Sequence, residues 1–204
     1  MKKFVAGFRP PEGVKEIIVV FSEEKEEETQ YYIYIIPSKK GAQRLIAKNK
    51  EGVNPEALAY LLKSISALPT SSPKPTINID GEPANLIAEV LEQISRHQVT
   101  VGAEDKKKIR VMILLQTKDE RIKAGILAVK DTTEYLYIFY SQAQIIELLF
   151  RHADCLTKEA YNKYLKIAQF SPLLLSSDKE MVVIEGGWAS AIGIALELNS
   201  LGVI

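Results

Sequence analysis

The chain has 204 residues, of which 47% are hydrophobic and 25% charged, and its formal net charge is zero. That length supplies one large domain or two small ones, with enough core to stand without disulfides or metal. The charge balance leaves no global field to draw in nucleic acid or an anionic membrane. A lone cysteine, Cys155, excludes an intramolecular disulfide and suits a reducing compartment.

The basic start, Met1–Lys3, is followed by no apolar run long enough for a signal peptide. The apolar stretch near the C terminus is cut by Glu197 and Asn199 and is short for a bilayer span. These features lead to the expectation of a soluble, cytoplasmic protein with no membrane partner. Glu far outnumbers Asp and Lys far outnumbers Arg, a usage that resembles thermophile proteins.

In chain order, a short strand is predicted over Lys3–Phe8, then a β-branched strand over 15–21. The acidic run from Ser22 to Thr29 reads as an exposed turn, and 30–36 resumes as a strand, completing a hairpin. The segment 43–48 is taken as a further short strand. Asn54 and Pro55 open a helix as cap and first residue, with Leu58, Leu61, Leu62 and Ile65 as its apolar stripe. Ser71–Pro75 breaks the chain. A strand over 76–80 and a helix over 83–96 follow. Beyond residue 104, strands are predicted near 108–116, 122–130 and 134–140, and helices near 142–153 and 158–169. A last strand and helix end near residue 201.

The strongest signal is a strand-to-helix segment written twice. Residues 71–95 and 176–200 match without a gap at ten of twenty-five positions, Gly81/Gly186, Ala84/Ala189, Ile87/Ile192 and Leu91/Leu196 among them. Upstream, Glu56-Ala57 matches Glu159-Ala160 and Pro69 matches Pro172, with a two-residue gap after them. The pattern predicts two tandem α/β repeats, with α+β as the alternative class. The first spans 1–104 and the second 105–204, and the two could pair as one pseudo-twofold body. Each is a hairpin with a third strand, then helix, strand and helix, with helices packed on mixed sheets. The helix near 142–153 reads as an insertion in the second copy.

The copies differ in their last helix. In the first, Leu86, Ile87, Val90, Leu91 and Ile94 oppose a wet face of Glu89, Glu92, Gln93 and Arg96. In the second, that wet face becomes Ile194, Leu198 and Leu201. An apolar outer face demands a cover. Trp188, Ile194, Leu198 and Leu201 are therefore the candidate interface, covered within the chain or by a second subunit.

Candidate chemistry is sparse. Asp80 and Glu185 end equivalent strands just before a helix, a place where α/β folds put ligands. As a general base or metal ligand either would support a hydrolase, but both residues also suit a turn into a helix N-terminus. Gly186, Gly187 and Ser190 open a helix whose free N–H groups could hold an anion, although no P-loop or dinucleotide fingerprint is present. His97, His152 and Cys155 lack the spacing of a zinc site, so no metal and no cofactor is expected. Tyr31, Tyr32, Tyr34, Tyr135, Tyr137 and Tyr140 lie on strands, where aromatics could stack single-stranded bases with help from Lys106–Lys108. Strands favour such residues in any case. The leading expectation is a non-catalytic binding or assembly protein, homodimeric or joined to another protein. A metal-dependent hydrolase or nuclease and a single-stranded nucleic-acid-binding module are the alternatives.

Overall fold

The structure, a computed structural model, describes residues 1–8, 14–26, 28–97, 111–118, 121–130, 133–170 and 173–200. Side-chain surroundings are described within these except at 82, 93–97, 111–118, 121–130, 133–134, 155, 194 and 197–200. The chain is a mixed α/β protein with two sheets and packed helices, dividing into units Met1–His97 and Gln98–Ile204.

The first unit runs β1 (Lys3–Phe8), β2 (Ile17–Lys25), β3 (Glu28–Ile36), α1 (Lys39–Lys48), a 3-10 turn (Lys50–Gly52), α2 (Pro55–Ile65), β4 (Ile77–Asp80) and α3 (Glu82–His97). Its sheet follows the order β1-β2-β3-β4, and every neighbouring pair is antiparallel. Alternation divides the sheet into two faces. Ile17, Val19, Phe21, Tyr32, Tyr34 and Ile36 join Ala42 and Leu45 of α1 and Leu61 and Ile65 of α2 in one core. The alternate residues Ile18, Val20, Ile33, Ile35 and Ile79 are also buried and point the other way. Helix α3 packs on β3 and β4 and buries Ala84, Leu86, Ile87, Val90 and Leu91.

The second unit runs β5 (Val111–Lys118), β6 (Arg121–Lys130), β7 (Thr133–Ile138), α4 (Gln142–Arg151), a 3-10 turn (Ala153–Cys155), α5 (Lys158–Gln169), β8 (Val182–Glu185) and α6 (Gly187–Ser200). Its sheet is β5-β6-β7-β8, again antiparallel throughout. Tyr137 and Phe139 join Ile145, Leu148 and Leu149 of α4 and Ala168 of α5 in one core. Helix α6 packs on all four strands.

The structure corrects several expectations. The sheets are antiparallel, not mixed: two helices separate β3 from β4 and β7 from β8, and an even number of crossings brings the chain back reversed. Residues 43–48 are helix, because Ser38 caps the N–H of Gly41 and Ala42 and Leu45 share one buried face. The third strand of the first sheet is β1, before the hairpin. Helix α4 is no insertion, since α1 holds the same place in the order. The hairpin turn is also tighter than the acidic run suggests. Lys25 pairs with Glu28, and Glu26 takes a φ of 51°, the left-handed conformation that two-residue loops demand.

Helix α2 buries Ala57, Leu61 and Ile65, while Leu58 and Leu62 of the expected stripe face solvent. Asn54 does cap it, accepting from the Ala57 N–H at 2.8 Å.

Candidate interaction surface

Asp80 and Glu185 stand at the ends of β4 and β8, paired in register with Tyr32 and Tyr135. The next residue is a glycine with positive φ in each unit, 72° at Gly81 and 86° at Gly186, and a helix starts directly after it. The left-handed region explains the glycines by itself. At Gly186 a side chain would meet nothing within 4 Å, so conformation rather than crowding selects the residue. Among the described residues no group of three or more His, Cys, Asp and Glu could hold a metal ion. The Ser190 N–H bonds back to the Gly186 carbonyl at 3.2 Å as the first turn of α6, which takes that donor from any anion. Trp188 is buried, with 5% of its surface exposed. Of the other interface candidates, Leu201 and the side chains of Ile194 and Leu198 lie outside the described residues, as do Lys106–Lys108 and the side chains of His97 and Cys155.

Three of the six strand tyrosines are buried, while Tyr31, Tyr135 and Tyr140 are partly exposed. Tyr32, Tyr34 and Tyr137 lie under the helices, each at most 9% exposed. Their hydroxyls are occupied within the fold. Lys2 Nζ donates to the Tyr34 hydroxyl at 2.9 Å and sits 3.4 Å above the Tyr32 ring. The Tyr32 hydroxyl donates to Glu23 at 3.0 Å. The Met1 ammonium beside Glu23, and then Tyr32, hold that carboxyl below its ordinary range. In the second unit the Tyr137 hydroxyl lies 3.4 Å from His152 Nε2, and burial, reinforced by Tyr135, pushes its pKa up. A raised pKa makes Tyr137 a poorer nucleophile or base at neutral pH.

The helix layers of the two units are anchored alike. Ser38 caps α1 and Ser141 caps α4, and both serines are buried. The next two N–H groups donate to a returning loop: Lys39 and Lys40 to the carbonyls of Pro69 and Thr70, Gln142 and Ala143 to those of Leu174 and Leu175. These bonds align Pro69 with Leu174 rather than with Pro172, so the two-residue gap falls before this loop. Lys74 and Lys179 each donate a backbone N–H to the serine two residues before, at 3.1 Å in both units.

With that frame, outward positions can be compared. Helix α1 shows Gln43 and Ala47 where α4 shows Ile146 and Phe150. The C-cap of α2 is Ser66 and that of α5 is Phe170. The loop residues are Pro69 and Thr70 in one unit and Leu174 and Leu175 in the other. The side chains of the second set are exposed: 36% at Ile146, 78% at Phe150, 84% at Phe170, 71% at Leu174 and 77% at Leu175. Reading 142–153 as an insertion hid this surface, because an insertion has no counterpart to be compared with. The signal was Phe150, one turn after Ile146, on the face opposite Ile145, Leu148 and Leu149. No family model, curated protein or solved structure matches the chain.

Proposed function

We propose that this is a non-catalytic binding or assembly protein of internally duplicated α/β architecture, working in a reducing cytoplasm. Its contact surface is the outer side of α4 with Phe170, Leu174 and Leu175. The observation that carries this is a difference at anchored positions. Four outward sites hold Gln43, Ala47, Pro69 and Thr70 in the first unit and Ile146, Phe150, Leu174 and Leu175 in the second, and Phe170 at the C-cap of α5 adds a further exposed aromatic side chain. A fold that needs only to be soluble gains nothing from two phenylalanines and two leucines in water. Clustered apolar surface of this kind marks interaction sites. The common order of elements and the shared serine caps support duplication as its origin. No helix among the described residues is long and apolar enough to cross a membrane.

A photo-crosslinking amino acid at position 150, irradiated in expressing cells, tests the reading. A discrete protein adduct from position 150, absent with the same probe at Ala47, is expected. Adducts of equal yield at both positions would reject it.

A further inference from the structure

Resting on that assembly reading, the geometry points to a second copy of this chain as the occupant of the surface, with α4 packed antiparallel on its own equivalent about a twofold axis. The outer arc of α4 carries Ala143, Ile146, Glu147, Phe150 and Arg151. Ile146 and Phe150 lie one turn apart, and Glu147 and Arg151 lie one turn apart beside them. In one copy Glu147 and Arg151 already meet at 2.6 Å, both more than half exposed. A twofold axis perpendicular to the helix, near the level of residues 148–149, keeps each flank on its own side and reverses the direction. Ile146 then faces Phe150 of the second copy. Glu147 comes level with Arg151 of the second copy, and Arg151 with its Glu147. Parallel packing about a twofold axis along the helix would instead swap the flanks and set Glu147 and Arg151 of each copy against Ile146 and Phe150 of the other. The charge pattern therefore selects the antiparallel, isologous arrangement.

The rest of the patch agrees. Leu174 and Leu175 are hydrogen-bonded to the start of α4, and Phe150 stands near its end. Reversal places the leucine corner of each copy beside the phenylalanine end of the other. The exposed side chains supply on the order of 1,000 Å² over two copies, the lower edge for a specific complex. The dimer is accordingly concentration-dependent.

Sedimentation velocity across a concentration series tests this with charge reversals at exposed sites. The unchanged protein forms a dimer whose fraction rises with concentration. Glu147→Arg or Arg151→Glu alone puts like charges at both contacts and weakens the dimer about tenfold or more. Mixing the two variants restores association as a heterodimer, because each supplies the charge the other lacks. Phe150→Ala also weakens the dimer without altering the circular dichroism spectrum. Two results overturn the inference: an unchanged protein that stays monomeric through the micromolar range, or charge variants that dimerise as before. A monomer whose position-150 crosslinks join it to a different protein would remove the second copy as occupant and leave the assembly reading intact. Loss of site-selective crosslinking would remove both.

Discussion

On the outside of the first unit's helix layer, Gln43 and Ala47 meet water; on the second, Ile146 and Phe150 do. Inside, the same layers are alike. Phe21, Tyr34 and Ile36 lie under α1 and α2, and Tyr137 and Phe139 lie under α4 and α5. Composition alone does not distinguish the two kinds of phenylalanine. Phe139 is 1% exposed and Phe150 is 78% exposed, and only position separates a core residue from a contact residue. The sharpest way to break this comparison is to truncate both. Phe139→Ala is expected to cost about 3–5 kcal/mol in chemical denaturation, as a cavity beneath two helices. Phe150→Ala should stay within about 0.5 kcal/mol when measured dilute, where no dimer contributes. A large dilute-solution cost at Phe150 would place that side chain in a core and cancel the contact surface.

The strand-to-helix turns are where the units should behave identically. Gly81→Ala and Gly186→Ala each force a side chain into the left-handed region, at a cost of about 1–2 kcal/mol. Gly186 has open space around it, so its penalty is purely backbone. Equal costs in thermal or denaturant melts are expected. A much larger loss at one glycine would mean that its loop carries a packing role the other lacks.

The caps make a smaller paired test. Ser38→Ala and Ser141→Ala each remove one acceptor from a helix N-terminus, and each should cost about 1 kcal/mol. Both serines are buried and bond three residues ahead, to Gly41 and Gln144. Unequal costs would show that α1 and α4 are seated differently despite their matching bonds.

Much of this fold was legible because period and caps are local. All eight strands lie where they are expected, with shifts of a few residues at their ends, and the Asn54-capped helix follows from one asparagine-proline pair. The failures were also local in cause. The 43–48 stretch has apolar residues in a short run that alternation cannot tell from a strand. Its helical state depends on Ser38 several residues earlier and on carbonyls of Pro69 and Thr70, some thirty residues later. Sheet direction was hidden because it depends on how many helices cross between strands. The contact surface was partly legible. The two copies differ visibly in the sequence of their last helices, whereas α4 has no gapless counterpart in the sequence of the first copy. Hydrogen bonds from the helix starts to a distant loop restored that counterpart, and no short-range pattern encodes them.

The smallest expected effect separates the two buried tyrosines that occupy equivalent places. The Tyr34 hydroxyl accepts a hydrogen bond from Lys2 Nζ, whereas Tyr137 has His152 at 3.4 Å and a pKa raised chiefly by burial. A phenol whose folded pKa exceeds its unfolded value, about 10, holds its proton longer in the native state. Its contribution is fully present below that unfolded value and is lost as pH rises through the higher folded one. Stability should therefore fall on the alkaline side, with a slope that Tyr137→Phe makes shallower. Tyr34→Phe removes the bond from Lys2 instead. Urea midpoints measured between pH 8 and pH 11 would show this. An identical alkaline slope in the parent and Tyr137→Phe proteins would mean that burial of this hydroxyl does not distinguish its proton affinity between the folded and unfolded states.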